Sequence, residues 1–88
     1  MKIVYTKHAE RDKFTYLARH GFKTAKREIN NIIIDPDHVD EVSDYPNTIA
    51  SKQIGTKHVL RVVYKKENDR ITVITFYPAQ VGRYYNES

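Results

Sequence analysis

Cysteine is absent, which removes disulfide staples and thiolate metal sites and suits a chain kept in a reducing cytoplasm. No apolar run approaches the length that spans a bilayer. The opening Met1-Lys2-Ile3-Val4-Tyr5 is too short and too soon charged to read as a secretory leader. There is no internal repeat, no low-complexity tract and no interdomain linker, with only 3 glycines and 3 prolines in the chain. Lysine and arginine are missing altogether from residues 29–50. What is present is 88 residues, 40% hydrophobic and 30% charged. That is one globular domain, residues 1–88, with a modest core.

The charge is segregated. Residues 1–28 carry 8 basic and 3 acidic side chains, residues 29–50 carry 5 acids, and residues 51–88 carry 7 basic and 3 acidic side chains. Two basic segments therefore flank an acidic one, within a net charge of +4. A basic surface concentrates polyanions and speeds their capture. A solvated lysine-rich surface is the plain alternative.

The order of elements reads β-α-α-β-β-β-β. Lys2 to Tyr5 is a strand, and Thr6 caps a helix from Lys7 to about Arg19. Phe14, Leu17 and Ala18 give that helix its core-facing stripe, and Gly21 stops it. Thr24 caps a second helix whose Ala25, Ile29, Ile32 and Ile33 share a face, and Asp35-Pro36 ends it. A meander comes next: Val39–Ser43, Thr48–Ile54, Lys57–Lys66 and Arg70–Tyr77, with Pro78 closing the last strand. The expected fold class is α+β, with two N-terminal helices packed on one curved antiparallel sheet.

A three-residue loop, Glu67-Asn68-Asp69, sets Lys66 opposite Arg70 and therefore Arg61 opposite Thr75. Alternation then sorts Leu60, Val62, Tyr64, Thr72, Ile74 and Phe76 onto the helix-covered face. Val59, Arg61, Val63, Ile71, Val73, Thr75 and Tyr77 fall on the other. So many aliphatic side chains need a cover, supplied by the Val81–Tyr85 tail, a segment of a partner protein or a second copy in a homodimer.

The two ends of the chain hold the residues that carry chemistry. His8 and Arg11, three apart, share a side of the first helix. Imidazole moves protons near neutral pH, and the guanidinium fork grips phosphate. With Arg61 as a second cation and Thr75 and Tyr77 to orient phosphate oxygens or supply a proton, the set suits metal-free cleavage of an RNA phosphodiester. No cofactor is called for. A first-turn histidine that packs on Tyr5 or bonds a carbonyl is the structural alternative for His8. Lys7, Lys57, Lys65, Arg83 and Tyr84 are candidate RNA contacts, the last two in a tail that mixes a cation with aromatics. That tail serves equally as a docking strand. His20, His38 and His58 are set aside. A metal site of His38 with Asp35, Asp37 and Asp40 matches no ligand spacing, so no metal is expected.

Lys7-His8-Ala9-Glu10-Arg11 opening the first helix, Arg19-His20-Gly21 closing it, and Leu60-Arg61-Val62-Val63-Tyr64 with Val73-Ile74-Thr75 in the last strands resemble the RelE/BrnT-like toxin superfamily. A branch of short domains of unknown function near it is similar over roughly residues 2–80. The resemblance implies a RelE-like fold, metal-independent RNA cleavage of the mRNA-interferase type, neutralisation by a cognate antitoxin, and His8, Arg11, Arg61 and Thr75 at the matching positions. A small non-catalytic module of phage or plasmid type, binding RNA or protein through the same cleft, is the rival expectation. A plain structural domain is the third.

Overall fold

The computed structural model describes residues 2–21 and 24–80. β1 (Lys2–Tyr5) leads into a π-helical segment (His8–Lys13) that continues without a break into α1 (Phe14–Arg19). Beyond it lie α2 (Lys26–Ile34), β2 (His38–Asp40), β3 (Thr48–Ile54), β4 (His58–Glu67) and β5 (Arg70–Gln80). The strands form one sheet in the order β1-β5-β4-β3-β2. The class is α+β, as the sequence indicates. The sheet is mixed, because β1 lies parallel to β5 while every other pair is antiparallel. Tight turns impose alternating directions from β2 to β5, whereas β1 is joined through helices and escapes that rule. No helix among the described residues is long and apolar enough to cross a membrane.

The first helix covers the expected span but is wound more loosely at its start. Hydrogen bonding to the fifth residue in a π-helix brings Ala9 and Phe14 onto one face. Ala9 and Leu17 are buried, Phe14 is partly so, and Ala18, expected in the stripe, is exposed. Gly21 closes the helix at φ 87°, a region open to glycine at little cost, with its N–H donating to the Ala18 carbonyl at 3.2 Å. The N-cap of α2 is Ala25 rather than Thr24, and the Glu28 carboxylate accepts the Ala25 N–H at 2.8 Å. Ala25 is thereby exposed, while Ile29, Ile32 and Ile33 enter the core. A Glu10–Lys26 ion pair ties the two helical segments together.

β2 is shorter than Val39–Ser43. The Asp40 carboxylate accepts the N–H groups of Val42 and Ser43 at 2.9 and 3.0 Å and turns the chain out of the ladder. β5 is longer than expected and passes through Pro78 to Gln80. β1 reaches only as far as Val73, so β5 is an edge at Pro78, where a missing donor costs little.

The last hairpin corrects the register. Its loop is Asn68-Asp69, Glu67 pairs with Arg70, and the ladder slips by one between Tyr64↔Val73 and Val63↔Thr75, leaving Ile74 as a bulge. Arg61 therefore stands opposite Tyr77, not Thr75. The bulge also switches faces along β5. Ile71 and Val73 join Leu60, Val62 and Phe76 in the core beneath the helices. Thr72 and Ile74, expected there, lie outside that core cluster. Ile49, Val59 and Val63 are buried on the opposite face, apart from the same cluster. Of the four aliphatic side chains expected on the outer face, Ile71 and Val73 thus turn to the helices, while Val59 and Val63 lie there and are buried. The Val81–Tyr85 tail, one of that face's expected covers, lies outside the described residues.

Candidate active site

Thr6 joins β1 to the first helix and fixes where that helix begins. Its N–H donates to the Val73 carbonyl at 3.0 Å and its hydroxyl to the Ile74 carbonyl at 3.1 Å. The same oxygen accepts the Ala9 N–H at 3.1 Å, the capping role expected of it. Ala9, at 0% exposure, is locked in the core. His8 sits between these two anchors, beside the bulge in β5. The extra residue there moves Thr75 one place along β4, into the position that His8 faces. His8 Nε2 lies 3.5 Å from Thr75 Oγ1, at the outer limit of a hydrogen bond. In place of the structural alternative, packing on Tyr5 or bonding a carbonyl, the half-exposed ring meets Thr75 and Asp12, while the Tyr5 ring lies against Phe14. On the ring's other side, Nδ1 is 3.7 Å from the Asp12 carboxylate.

Face alternation and pairing place two cross-strand rows on the sheet face opposite the helices. His38, Ser51, Arg61 and Tyr77 form one; Asp40, Ile49, Val63 and Thr75 form the next. Arg61 is only 7% exposed. Its Nε donates to the Tyr77 hydroxyl oxygen at 3.2 Å, and its guanidinium carbon lies 5.8 Å from the Tyr77 ring centre. The Asp40 carboxyl is held down at about 2, first by the Ser43 side chain, then by the N–H groups of Ser43 and Val42, with the Arg61 charge adding to them. Ser51 is 1% exposed, and its hydroxyl has no hydrogen-bond partner among the described residues.

His8 thus meets Thr75, and Arg61 meets Tyr77 in the adjacent row, in a register other than the expected one. Arg11 is not part of the contact. It is exposed on the helix, its carbonyl accepts the Thr15 hydroxyl at 3.3 Å, and no hydrogen bond joins its guanidinium to Thr75 or Tyr77. Lys7 is exposed next to His8. Lys65 stands one row beyond Thr75, opposite Thr72, and pairs with Glu67 at 3.5 Å. Lys57 lies in the turn before β4, at the far end of that strand. Arg83 and Tyr84 lie outside the described residues.

Sequence reasoning missed Asp12 and Ser51, and weighed Asp40 only as a metal ligand. Asp12 was detectable from its i, i+4 spacing to His8. Asp40 and Ser51 enter only through strand pairing. Among the described residues, no group of three His, Cys, Asp or Glu side chains is placed to hold a metal ion. Asp35 and Asp37 are engaged by Lys52 and by the Gln53 N–H. An open groove of about 480 Å3 runs between α2 and β3, lined in part by Thr24, Glu28, Ile32 and Ile54. It includes none of the residues of the His8 cluster. Compared with protein-family models, curated proteins and solved structures, the chain matches none.

Proposed function

We propose that the chain is a metal-independent endoribonuclease of toxin type, in the manner of the RelE/BrnT-like proteins it resembles. The observation that carries this reading is the exposed His8 imidazole facing Thr75, on the same sheet face as the Arg61–Tyr77 pair. His8 Nε2 takes the proton of an RNA 2′-hydroxyl, the oxygen attacks phosphorus, and the bond to the 5′-oxygen breaks. Arg61 Nε donates to the Tyr77 oxygen, so the Tyr77 O–H remains free to protonate that leaving oxygen. The Arg61 charge, with Lys7 and Lys65 nearby, favours the extra negative charge of the phosphorane. Thr75 bonds a non-bridging oxygen once substrate has displaced it from His8. The partners on this reading are RNA and a cognate antitoxin protein, and the setting is the cytoplasm. Of the patch that a homodimer was expected to cover, Val59 and Val63 remain on the outer face, and both are buried within the single chain.

The low exposure of Arg61 favours a second reading, a non-catalytic module that binds RNA or protein through this face. Cleavage separates the two. Purified protein, with chelator present, is expected to cut single-stranded RNA, free or on ribosomes. His8→Ala and Arg61→Ala are each expected to reduce the rate by about two orders of magnitude or more. Binding without cleavage by the wild-type chain would leave the module.

A further inference from the structure

We infer that Asp12 is a positioning residue that fixes the tautomer of His8. This rests on the reading of His8 as the general base. A neutral imidazole carries its proton on one nitrogen, and the partner of that nitrogen selects which. Asp12 Oδ2 lies 3.7 Å from Nδ1, beyond direct hydrogen-bond reach, so its carboxylate acts on the ring through its charge. Thr75 Oγ1 lies 3.5 Å from Nε2, and a hydroxyl can donate or accept. The neutral ring with its proton on Nδ1, toward the Asp12 charge, is the one that charge favours, and the Thr75 hydroxyl can donate to the nitrogen left bare. The lone pair is then on Nε2, toward Thr75, the nitrogen assigned to take the substrate proton.

Three separate elements of the structure converge on this row. Asp12 shares the π-helical segment with His8, one turn further on. Thr75 comes from β5, at the bulge that sets its place on the sheet. Thr6 pins the start of the segment to the Val73 and Ile74 carbonyls, which holds the backbone that carries the ring beside β5. The His8 and Asp12 side chains are 56% and 65% exposed, so the pair adds little to stability. Its effect is on which nitrogen carries the proton. When a 2′-hydroxyl replaces the Thr75 hydroxyl at Nε2, its proton passes to Nε2 and the ring becomes a cation. The Asp12 carboxylate faces the Nδ1–H of that cation. After the products separate, the imidazolium gives its proton to solvent and the Tyr77 phenolate takes one back, which restores both groups.

The test has two readouts. In the free protein, nitrogen NMR of the neutral His8 ring is expected to show the Nδ1–H form. Asp12→Ala is expected to shift it toward Nε2–H, while Asp12→Glu retains Nδ1–H. In cleavage, Asp12→Ala is expected to lower kcat about tenfold to a hundredfold, the usual range for a residue that orients a working imidazole, with little change in KM. In a His8→Ala background the same substitution is expected to have no further effect, because the two residues act as a unit. An Nε2–H ring in the wild-type protein, or a tautomer unchanged by Asp12→Ala, would overturn the inference. If the wild-type chain cuts no RNA, the endoribonuclease reading fails by itself, and the NMR result still decides the role of Asp12.

Discussion

Replacing Ser51 by alanine is expected to stabilise the protein. The side chain is 1% exposed, flanked in its row by His38 and Arg61, and its hydroxyl has no hydrogen-bond partner among the described residues. Burying a hydroxyl without a bond costs about 1–3 kcal/mol on mutational scales. Alanine keeps the Cβ and removes one oxygen. The void left is about one atom in size and costs a few tenths of a kcal/mol at roughly 24 cal/mol per Å3. The net gain is about 1 kcal/mol, which in a domain of this size raises Tm by about 4–8 °C. Thermal unfolding followed by circular dichroism, with a urea titration to check that the slope is unchanged, measures it. A Tm lowered by several degrees would refute the reasoning. It would mean that the hydroxyl is bonded in solution and that the row containing Arg61 is a satisfied polar network.

Two further outcomes concern pH. Burial, with Glu10 adding to it, pushes the Tyr5 phenol up to about 12, and its hydroxyl bonds Asn30 Oδ1 at 2.6 Å. The folded state holds this proton more tightly than the unfolded chain. The contribution is whole below about pH 10 and lost as pH rises toward 12. Alkaline unfolding should therefore track ionisation of a late-titrating tyrosine, and Tyr5→Phe should remove that titration. The Asp40 carboxyl lies low, at about 2, so its contribution is present above about pH 4 and lost as pH falls toward 2. Asp40→Asn should flatten the acid limb of the stability curve over that interval, and an unchanged limb would show that the turn at Val42–Ser43 is held by other contacts.

Most of the elements are legible in the residues. Lys2–Tyr5 is bounded by the Thr6 cap and Thr48–Ile54 by its flanking turns, and the second helix is marked by the spacing of Ile29, Ile32 and Ile33. The hairpin is not, because a three-residue loop without a bulge and a two-residue loop with one both align Leu60 and Val62 with the helices. The sign of the bulge is in β5 itself. Ile71 and Val73 keep one phase, Phe76 keeps the other, and a strand that serves one core with both phases contains an extra residue. The π winding leaves no comparable mark, and a stripe drawn with α-helical periodicity passes over Ala9. The candidate site is half legible. Imidazole and guanidinium at the chain ends suggest phosphate chemistry. Which of them meet depends on the bulge, and helical spacing alone draws in Arg11.

The most direct test of the central claim is the chemistry of the cut ends. A defined single-stranded RNA incubated with the purified protein and excess chelator should yield 2′,3′-cyclic phosphate and 5′-hydroxyl termini, as attack by the 2′-oxygen requires. The same RNA with 2′-deoxy or 2′-methoxy substitution at the cut position should not be cleaved. Termini bearing 3′-hydroxyl and 5′-phosphate, or cleavage that survives loss of the 2′-hydroxyl or of His8, would contradict His8-driven transesterification.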